Sequence, residues 1–203
     1  MDQVSEQAGG VRERKRLQTL ERIAEVSLQL FVTNGYDETT LEAIAAAAGI
    51  SRRTFFYYYK SKDEILVALQ CEGFIEALHR AFDALPTGKP PIVALRDTLP
   101  ELISSFESEK TLVIAEILQS TEALKIRKLA IYIEMENALF GAMARTWPEL
   151  ADQPSLRLMA GVGIGVLRLS TEQWRQSNGT RRLADIVQES FLLLERQFQS
   201  NVR

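Results

Sequence analysis

The segment around Gly49 constrains the fold of this 203-residue chain more than any other feature. A short helical pattern with small inward-facing residues ends at Gly49, and a second short helical pattern follows almost at once. Glycine adopts the left-handed backbone conformation that such a tight turn requires. Ala45 and Ala48 are small enough for two helices to approach closely, and Ile50 fills the angle between them. The pattern predicts a helix-turn-helix within residues 39–62.

Helical periodicity continues through the rest of the chain, and no run of alternating apolar and polar residues indicates a strand. Pro100 is expected to kink or split its helix. The second predicted helix is capped by Thr39, with Glu42 in a capping box, and ends at Gly49. The other helices are predicted at about 12–33, 52–59 after Ser51, Ser61 through Leu78, 92–107, 110–120, 122–146, 154–176 and 180–199. We therefore predict an all-α protein with a disordered N-terminal tail (1–11), a three-helix domain (12–60) and a larger helical domain (61–203).

Charge is distributed unevenly along the chain, although the net charge is only −3. Residues 11–62 carry nine Lys and Arg against six Asp and Glu, whereas the body that follows is acidic. A basic front end suggests a face for a polyanion. The longest apolar run spans about half a membrane, and the polar N-terminus does not resemble a signal peptide, so we expect a cytoplasmic protein without membrane contact. With a single Cys71 and a single His79, no disulfide, metal site or cofactor is expected.

The helix after the tight turn combines two arginines and a threonine with five consecutive aromatic residues. Phe55 and Tyr59 share one face and are expected to anchor this helix to the core. The N-terminal end of such a helix meets base edges in the major groove, where arginine suits guanine. The predicted base contacts are Arg52, Arg53, Thr54 and Tyr57, and the predicted phosphate contacts are Thr40, Tyr58 and Lys62. A helical hairpin with a solvated basic face is the alternative that these residues leave open.

The same segment resembles the signature of the TetR family of bacterial repressors over about residues 14–66. The matching positions are Thr39, Thr40, Ile44, Ala45, Ala48, Gly49, Ser51, Thr54, Phe55, Tyr58 and Lys62. The resemblance implies the same base-facing and phosphate-facing residues as those named above. Phe56 and Tyr59 depart from the tyrosine and phenylalanine that are usual in the family, which puts the details of backbone contact in doubt.

The resemblance also implies a homodimer in which the last two helices of each subunit form a four-helix bundle. The 154–176 pattern contains three closely spaced glycines, and the 180–199 pattern carries Leu192 and Leu193 outside its main apolar stripe, as a helix with two partners would. A phosphate-binding reading of those glycines fails because no strand precedes them. Two-fold symmetry predicts a palindromic operator in double-stranded DNA. The predicted interface residues are Val162, Ile164, Val166, Leu183, Val187, Phe191 and Leu194.

The family resemblance implies an apolar effector cavity in the second domain. Its predicted lining is Phe74, Phe106, Ile117, Leu129, Ile133 and Phe140. Residues 94–96, 134–140 and 167–174 resemble a subgroup with acyl-CoA-like ligands. Lys125, Arg127, Lys128 and Arg168 are candidates for contacting a phosphate or carboxylate, although surface salt bridges explain them equally well. Effector binding is expected to release DNA, with the long fourth helix as the lever.

Two other functions compete with a transcriptional repressor. Glu76 and His79 have the Glu-x-x-His spacing of a di-iron enzyme, but the motif occurs once and its second half is missing, so we predict no enzyme activity. A DNA-binding protein that organises chromosomes or cell division would share the fold, and genomic neighbours would distinguish it. The sequence leaves open the operator, the effector and whether binding represses or activates.

Overall fold

A computed structural model describes the backbone of residues 2–71, 73–86 and 88–200, and the side chains of 12–71, 73–86 and 88–197. The described residues form α-helices and one 3-10 turn, so the all-α prediction is confirmed.

The chain divides into two compact units, Met1–Gln70 (unit 1) and Cys71–Arg203 (unit 2), whereas the sequence predicts a boundary after residue 60. The difference arises because the first turn of the fourth helix is hydrogen-bonded to the loop after the first helix, through Lys62 and Asp63.

Unit 1 contains α1 (Asp2–Asn34), α2 (Leu41–Ala47), α3 (Arg52–Tyr58) and nearly all of α4 (Lys62–Cys71). The backbone of α1 is helical from Asp2, although the sequence predicts a disordered tail over residues 1–11, of which Met1 lies outside the described residues. No proline stands in this stretch to interrupt a helix. Among the described side chains of α1, the first that is buried is Ile23.

The core of unit 1 draws on all four of its helices. Large side chains are fully buried at Ile23 of α1, Ile44 of α2, Phe55 of α3, and Ile65 and Leu66 of α4. Ala45 of α2 and Ala48 directly after it are buried as well, as predicted. This core holds α2 and α3 at a fixed angle and leaves the other side of α3 in solvent.

Unit 2 contains six helices in its described residues: α5 (Phe74–Asp83), α6 (Pro91–Ser104), α7 (Glu109–Ile117), α8 (Glu122–Thr146), α9 (Pro154–Gln176) and α10 (Leu183–Ser200), with a 3-10 turn at Pro148–Leu150. The predicted fourth helix does not run through Leu78. It ends at Cys71, and α5 begins after Gly73, whose φ of 69° lies in the left-handed region. Pro100 lies inside α6 without ending it.

Four long helices, α6, α8, α9 and α10, supply most of the core of unit 2. Leu95 and Leu99 of α6, Leu139 of α8 and Val187 of α10 are fully buried. Gly163 of α9 lies so close to three of these leucines that an added Cβ would stand 3.1–3.3 Å from their methyl groups. Among the described residues, no helix is both long enough and apolar enough to cross a membrane.

Candidate nucleic-acid interface

The turn between α2 and α3 is closed by two backbone hydrogen bonds. The amide of Gly49 donates to the carbonyl of Ala46 at 3.0 Å, and the amide of Ile50 donates to the carbonyl of Ala45 at 3.0 Å. Gly49 has a φ of 65°, which a residue with a Cβ adopts only with strain. The predicted helix-turn-helix is therefore present, and its turn fixes the direction of α3.

The start of α2 differs from the prediction by one residue. Thr40, not Thr39, caps the helix: its hydroxyl oxygen accepts from the amide of Ala43 at 3.1 Å. Thr39 is buried, and its hydroxyl donates to the carbonyl of Gly35 at 2.7 Å. The capping box predicted from Thr39 and Glu42 is therefore not formed. Thr40 is exposed, and its hydroxyl proton is not used by the cap.

Helix α3 has one buried side and one solvent-facing side. Ser51 caps it by accepting from the amide of Thr54 at 3.0 Å, as predicted. Phe55 and Tyr59 point into the core. Arg53, Thr54 and Tyr57 are exposed, and Tyr57 leaves 76% of its surface in solvent. All four predicted base contacts are thus accessible to solvent, since the side chain of Arg52 is also 66% exposed.

The two arginines of α3 have different surroundings. Arg52 makes an ion pair with Glu42 at 3.0 Å, and its guanidinium lies 5.6 Å from the centre of the Phe56 ring. Arg53 makes no ion pair with any described residue and is exposed. Glu42 is a member of this site that sequence reasoning missed, because a contact between residues ten positions apart on two helices leaves no local spacing signal.

The three predicted phosphate contacts are not equivalent. Thr40 is exposed at the N-terminus of α2, and Tyr58 is half-buried with its ring packed edge-on against that of Tyr57. The ammonium of Lys62 donates to the carbonyls of Tyr36 at 2.7 Å and Asp37 at 3.2 Å. In this structure Lys62 ties α4 to the loop after α1.

The ring of Tyr36 completes this tie. The Lys62 ammonium lies 4.5 Å from the centre of the ring, and the Tyr36 hydroxyl donates to the carboxylate of Asp63. Burial, and then the hydrogen bond to Asp63, raise the pKa of Tyr36 well above its usual range, so the phenol stays protonated. The position of α4 relative to the helix-turn-helix therefore depends on these three side chains.

The predicted effector-pocket residues do not come together in unit 2. Phe74 is buried and its ring packs edge-on against Phe106 with centroids 5.4 Å apart. Phe140 instead lies under the guanidinium of Arg157. Of the other predicted pocket residues, Ile117 is half-buried. Leu129 and Ile133 are 55% and 60% exposed. Leu129 and Ile133 are therefore removed from the lining, because they occupy the solvent face of α8.

Most predicted dimer residues are buried inside unit 2 itself. Ile164, Val166, Leu183, Val187 and Phe191 are buried by the unit's own helices, so they do not form its outer surface. Val162 and Leu194 are half-buried. The outward face of α9 instead carries Leu158 and Leu169, which are 69% and 58% exposed, and that of α10 carries Leu192 and Leu193.

An open groove of about 700 Å³ runs along the outward face of α9. Its lining includes Leu158, Gly161 and Val162 of α9 and Glu136 of α8. Leu158, Val162, Gly165 and Leu169 follow one another at helical spacing, so they form a single apolar strip. This strip is open to solvent, unlike most of the predicted interface residues.

A tight helix-turn-helix whose second helix presents arginine, threonine and tyrosine to solvent, followed by a separate helical unit, defines the class of helix-turn-helix DNA-binding proteins. A model of bacterial regulatory proteins of the tetR family matches residues 23–69, which include the whole helix-turn-helix. The helix-turn-helix segment of this chain is therefore that of the tetR family of bacterial regulatory proteins.

Similar proteins extend the likeness beyond the helix-turn-helix. The transcriptional regulator TcmR of Streptomyces glaucescens is 26% identical over 174 residues, which cover 81% of this chain and 76% of TcmR. The structure of FadR from Thermus thermophilus, a TetR-family repressor in complex with lauroyl-CoA, aligns with a TM-score of 0.58 at 25% identity, over 86% of this chain and 92% of FadR. FadR from Bacillus subtilis, in complex with stearoyl-CoA, aligns with a TM-score of 0.59 at 20% identity, over 86% of this chain and 96% of that protein, which shows a shared fold.

Proposed function

We propose that this regulator is a repressor that binds a palindromic operator as a homodimer and is released by a small apolar, acyl-CoA-like effector. The observation that carries the proposal is the solvent-facing side of α3, where Arg53, Thr54 and Tyr57 are exposed beside the buried Phe55. A guanidinium, a hydroxyl and an aromatic ring on the solvent side of such a helix offer the hydrogen-bond donors and apolar contacts that base edges in the major groove accept.

Base reading is assigned to this face of α3. A free arginine donates two hydrogen bonds to guanine, and each such pair discriminates by about 1–3 kcal/mol. Arg53 is available for this because it has no ion-pair partner among the described residues. Arg52 must first exchange Glu42 for a base or phosphate, so its net contribution is smaller. Thr54 and Tyr57 supply contacts to thymine methyls or to the backbone.

Phosphate contacts fix the register of α3 on the duplex. Thr40 offers a hydroxyl proton at the N-terminus of α2, where backbone amides also point outward. Tyr58 offers a phenol beside Tyr57. Lys62 is proposed as a phosphate contact from the sequence pattern, and its two carbonyl partners leave it at most one further N–H to donate.

Dimerisation is assigned to the outward faces of α9 and α10. The apolar strip of Leu158, Val162, Gly165 and Leu169 is supported as an interface by its exposure and by the small residues within it. Leu192 and Leu193 extend the apolar surface on α10. A dimer through these faces carries two copies of α3, which matches a palindromic site.

An apolar effector with an acyl-CoA-like character is supported by the Thermus thermophilus relative, which was solved with lauroyl-CoA. In unit 2 the buried Phe74 and the half-buried Phe106, whose rings pack together, are the part of the predicted lining that is in contact. An effector changes operator affinity only through its different affinity for the DNA-bound and released conformations.

The first test is fluorescence anisotropy of purified protein on duplexes from the region upstream of its own gene, beside a random duplex of equal length. If that region shows no preference, a genome-wide binding selection supplies the duplex. We expect sequence-preferring binding that weakens as salt rises. Arg53→Ala should lose about 1–3 kcal/mol of operator binding. Arg80→Ala, an exposed arginine of α5, should not change it.

The second test titrates lauroyl-CoA into the protein–operator complex. We expect release of the duplex at saturating ligand. Equal binding of operator and random DNA by wild type and Arg53→Ala would contradict base reading by α3. An operator affinity that saturating acyl-CoA leaves unchanged would contradict the effector class and leave base reading intact.

A further inference from the structure

A cluster of charged side chains lies where α7, α8 and α9 meet in unit 2. Lys128 stands in the middle of α8 and is only 8% exposed. Burying an ammonium group is costly unless a counter-charge pairs with it. Among the described residues, Lys128 makes neither an ion pair nor a hydrogen bond through its ammonium. The side chain of Lys128 is therefore largely buried with no direct ion-pair partner in that part of the chain.

The nearby carboxylates are already engaged by a different cation. Arg175 pairs with Glu172 at 2.6 Å and with Glu116 at 3.7 Å. Glu172 also accepts from the side-chain amides of Gln176 at 2.9 Å and Gln119 at 3.3 Å. The hydrogen bond from Arg175 is the largest cause that lowers the pKa of Glu172. One guanidinium thus occupies both carboxylates that are close enough to act on Lys128.

A second cation, the exposed Arg168, is near enough to Lys128 for its charge to act on it. Arg168, one turn before Glu172 on α9, makes no ion pair with any described residue, and its charge acts on Lys128. Burial lowers the pKa of Lys128. Glu172 opposes the shift, whereas Arg175 and Arg168 add to it. The cluster therefore holds three cations against two carboxylates.

Further donors surround this excess positive charge. Tyr132 follows Lys128 by one helical turn, and its hydroxyl lies near Thr171 and Arg168. The Nε of the adjacent Arg127 is buried with no hydrogen-bond partner among the described residues. Ammonium, guanidinium and phenol groups together donate many hydrogen bonds, and a carboxylate or phosphate accepts several at once.

We propose that Lys128 and Arg168, with Tyr132 beside them, bind the anionic head of the effector, either a carboxylate or a phosphate. The inference rests on the proposed function, since it assigns a subsite for the same effector. An anion bound by these groups supplies a counter-charge to one cation on α8 and one on α9, and its departure leaves both without it. Effector binding is thereby coupled to the packing of α9, which also carries the proposed dimer strip.

The test compares Lys128→Met with Lys125→Met in the full chain. Methionine keeps the apolar stem of the lysine and removes the charge. Lys125 is a matched control because it is exposed on the same helix, about one turn earlier, and pairs with Glu122. Each protein is titrated with lauroyl-CoA, laurate and uncharged 1-dodecanol, and Kd is measured by calorimetry.

We expect Lys128→Met to raise the Kd for lauroyl-CoA or laurate about tenfold or more and to leave the Kd for 1-dodecanol unchanged. If only the affinity for lauroyl-CoA falls, the site binds a phosphate. If the affinity for laurate falls, the site binds a carboxylate. Without ligand, Lys128→Met should keep or raise Tm, because it removes a buried charge that lacks a direct partner. Lys125→Met should behave as the wild type throughout.

Either of two results would overturn this inference and leave the proposed function standing. The first is that Lys128→Met binds both anionic probes with the Kd of the wild type. The second is that the Tm of Lys128→Met falls without ligand, as it would if the lysine had only a structural role. A wild-type protein that binds none of the three probes overturns the proposed effector class and this subsite with it. The two failures are distinguished by the wild-type titration.

Discussion

At the scale of single residues, Phe55 and Tyr57 of α3 have opposite surroundings although they stand two positions apart. Phe55 is fully buried, whereas Tyr57 is mostly exposed. Tyr57→Ala should change the free energy of unfolding by no more than about 0.5 kcal/mol and still weaken operator binding. Phe55→Ala should cost about 3–5 kcal/mol of stability. Urea unfolding and anisotropy check both, and normal operator binding by Tyr57→Ala would remove this residue from the DNA face.

Lys62 allows a second test at this scale, because the sequence predicts a phosphate contact and the structure engages its ammonium with two carbonyls. Lys62→Met should lower the stability of the protein by about 1–3 kcal/mol, since a part-buried hydrogen bond to Tyr36 and an exposed one to Asp37 lose their charged donor. Lys60→Met is the matched control, as Lys60 is exposed. If Lys62→Met unfolds like the wild type but binds operator weakly, the phosphate role is the correct one.

At the residue scale, a contact between close neighbours in the chain is predictable from the sequence, whereas a contact between distant residues is not. Ser51 and Gly49 act on neighbours within a few positions, so their roles were predictable from spacing. The partners of Arg52 and Lys62 lie on other elements, at Glu42 and in the loop at Tyr36. The residue type indicates that these cations are able to form ion pairs or hydrogen bonds, but it does not identify their partners.

At the scale of elements, the break between α4 and α5 was not predictable from periodicity. Apolar positions continue on both sides of Gly73, from Leu69 to Phe74 and Leu78, so the pattern looks like one helix. The left-handed φ of Gly73 ends it, and an isolated glycine does not reveal its own φ. Pro100 illustrates the reverse case, since α6 continues past a residue that was expected to disturb it.

The packing of α9 gives a prediction at this scale. Gly163→Ala and Gly141→Ala gain the same helix propensity, because both glycines lie inside helices. An added methyl at Gly163 meets three leucines, whereas at Gly141 nothing lies within 4 Å. Gly163→Ala should therefore be less stable than Gly141→Ala by about 1–3 kcal/mol. Chemical denaturation measures the difference, and equal stabilities would mean that the leucines move aside without cost.

At the scale of the whole molecule, the sequence reveals two apolar faces on α9 and α10 but not which face meets the subunit's own core. The stripe with Val187 and Phe191 was predicted to meet a second subunit, and the structure buries it within unit 2. Both faces are apolar, so their composition alone does not show which one is buried within the subunit. Only the positions of α6 and α8 decide which stripe is covered.

The proposed dimer is tested by placing a charge on the outward face. Leu169→Asp should give a folded monomer, because a carboxylate at an apolar interface loses its hydration without gaining a partner. Ile126→Asp is the control, since Ile126 is 68% exposed on α8. Sedimentation velocity and operator anisotropy measure both variants. A dimeric Leu169→Asp, or a monomeric Ile126→Asp, would move the interface away from the α9 strip.

The break at Gly73 also bears on how such regulators diversify. One compact unit ends at Gln70 and the next begins at Cys71, with no long linker between them. A crossover between two genes at this boundary would exchange unit 2, which we propose binds the effector, and keep the helices of unit 1 that we propose read the operator. A single recombination event would then place an existing set of promoters under a new chemical signal.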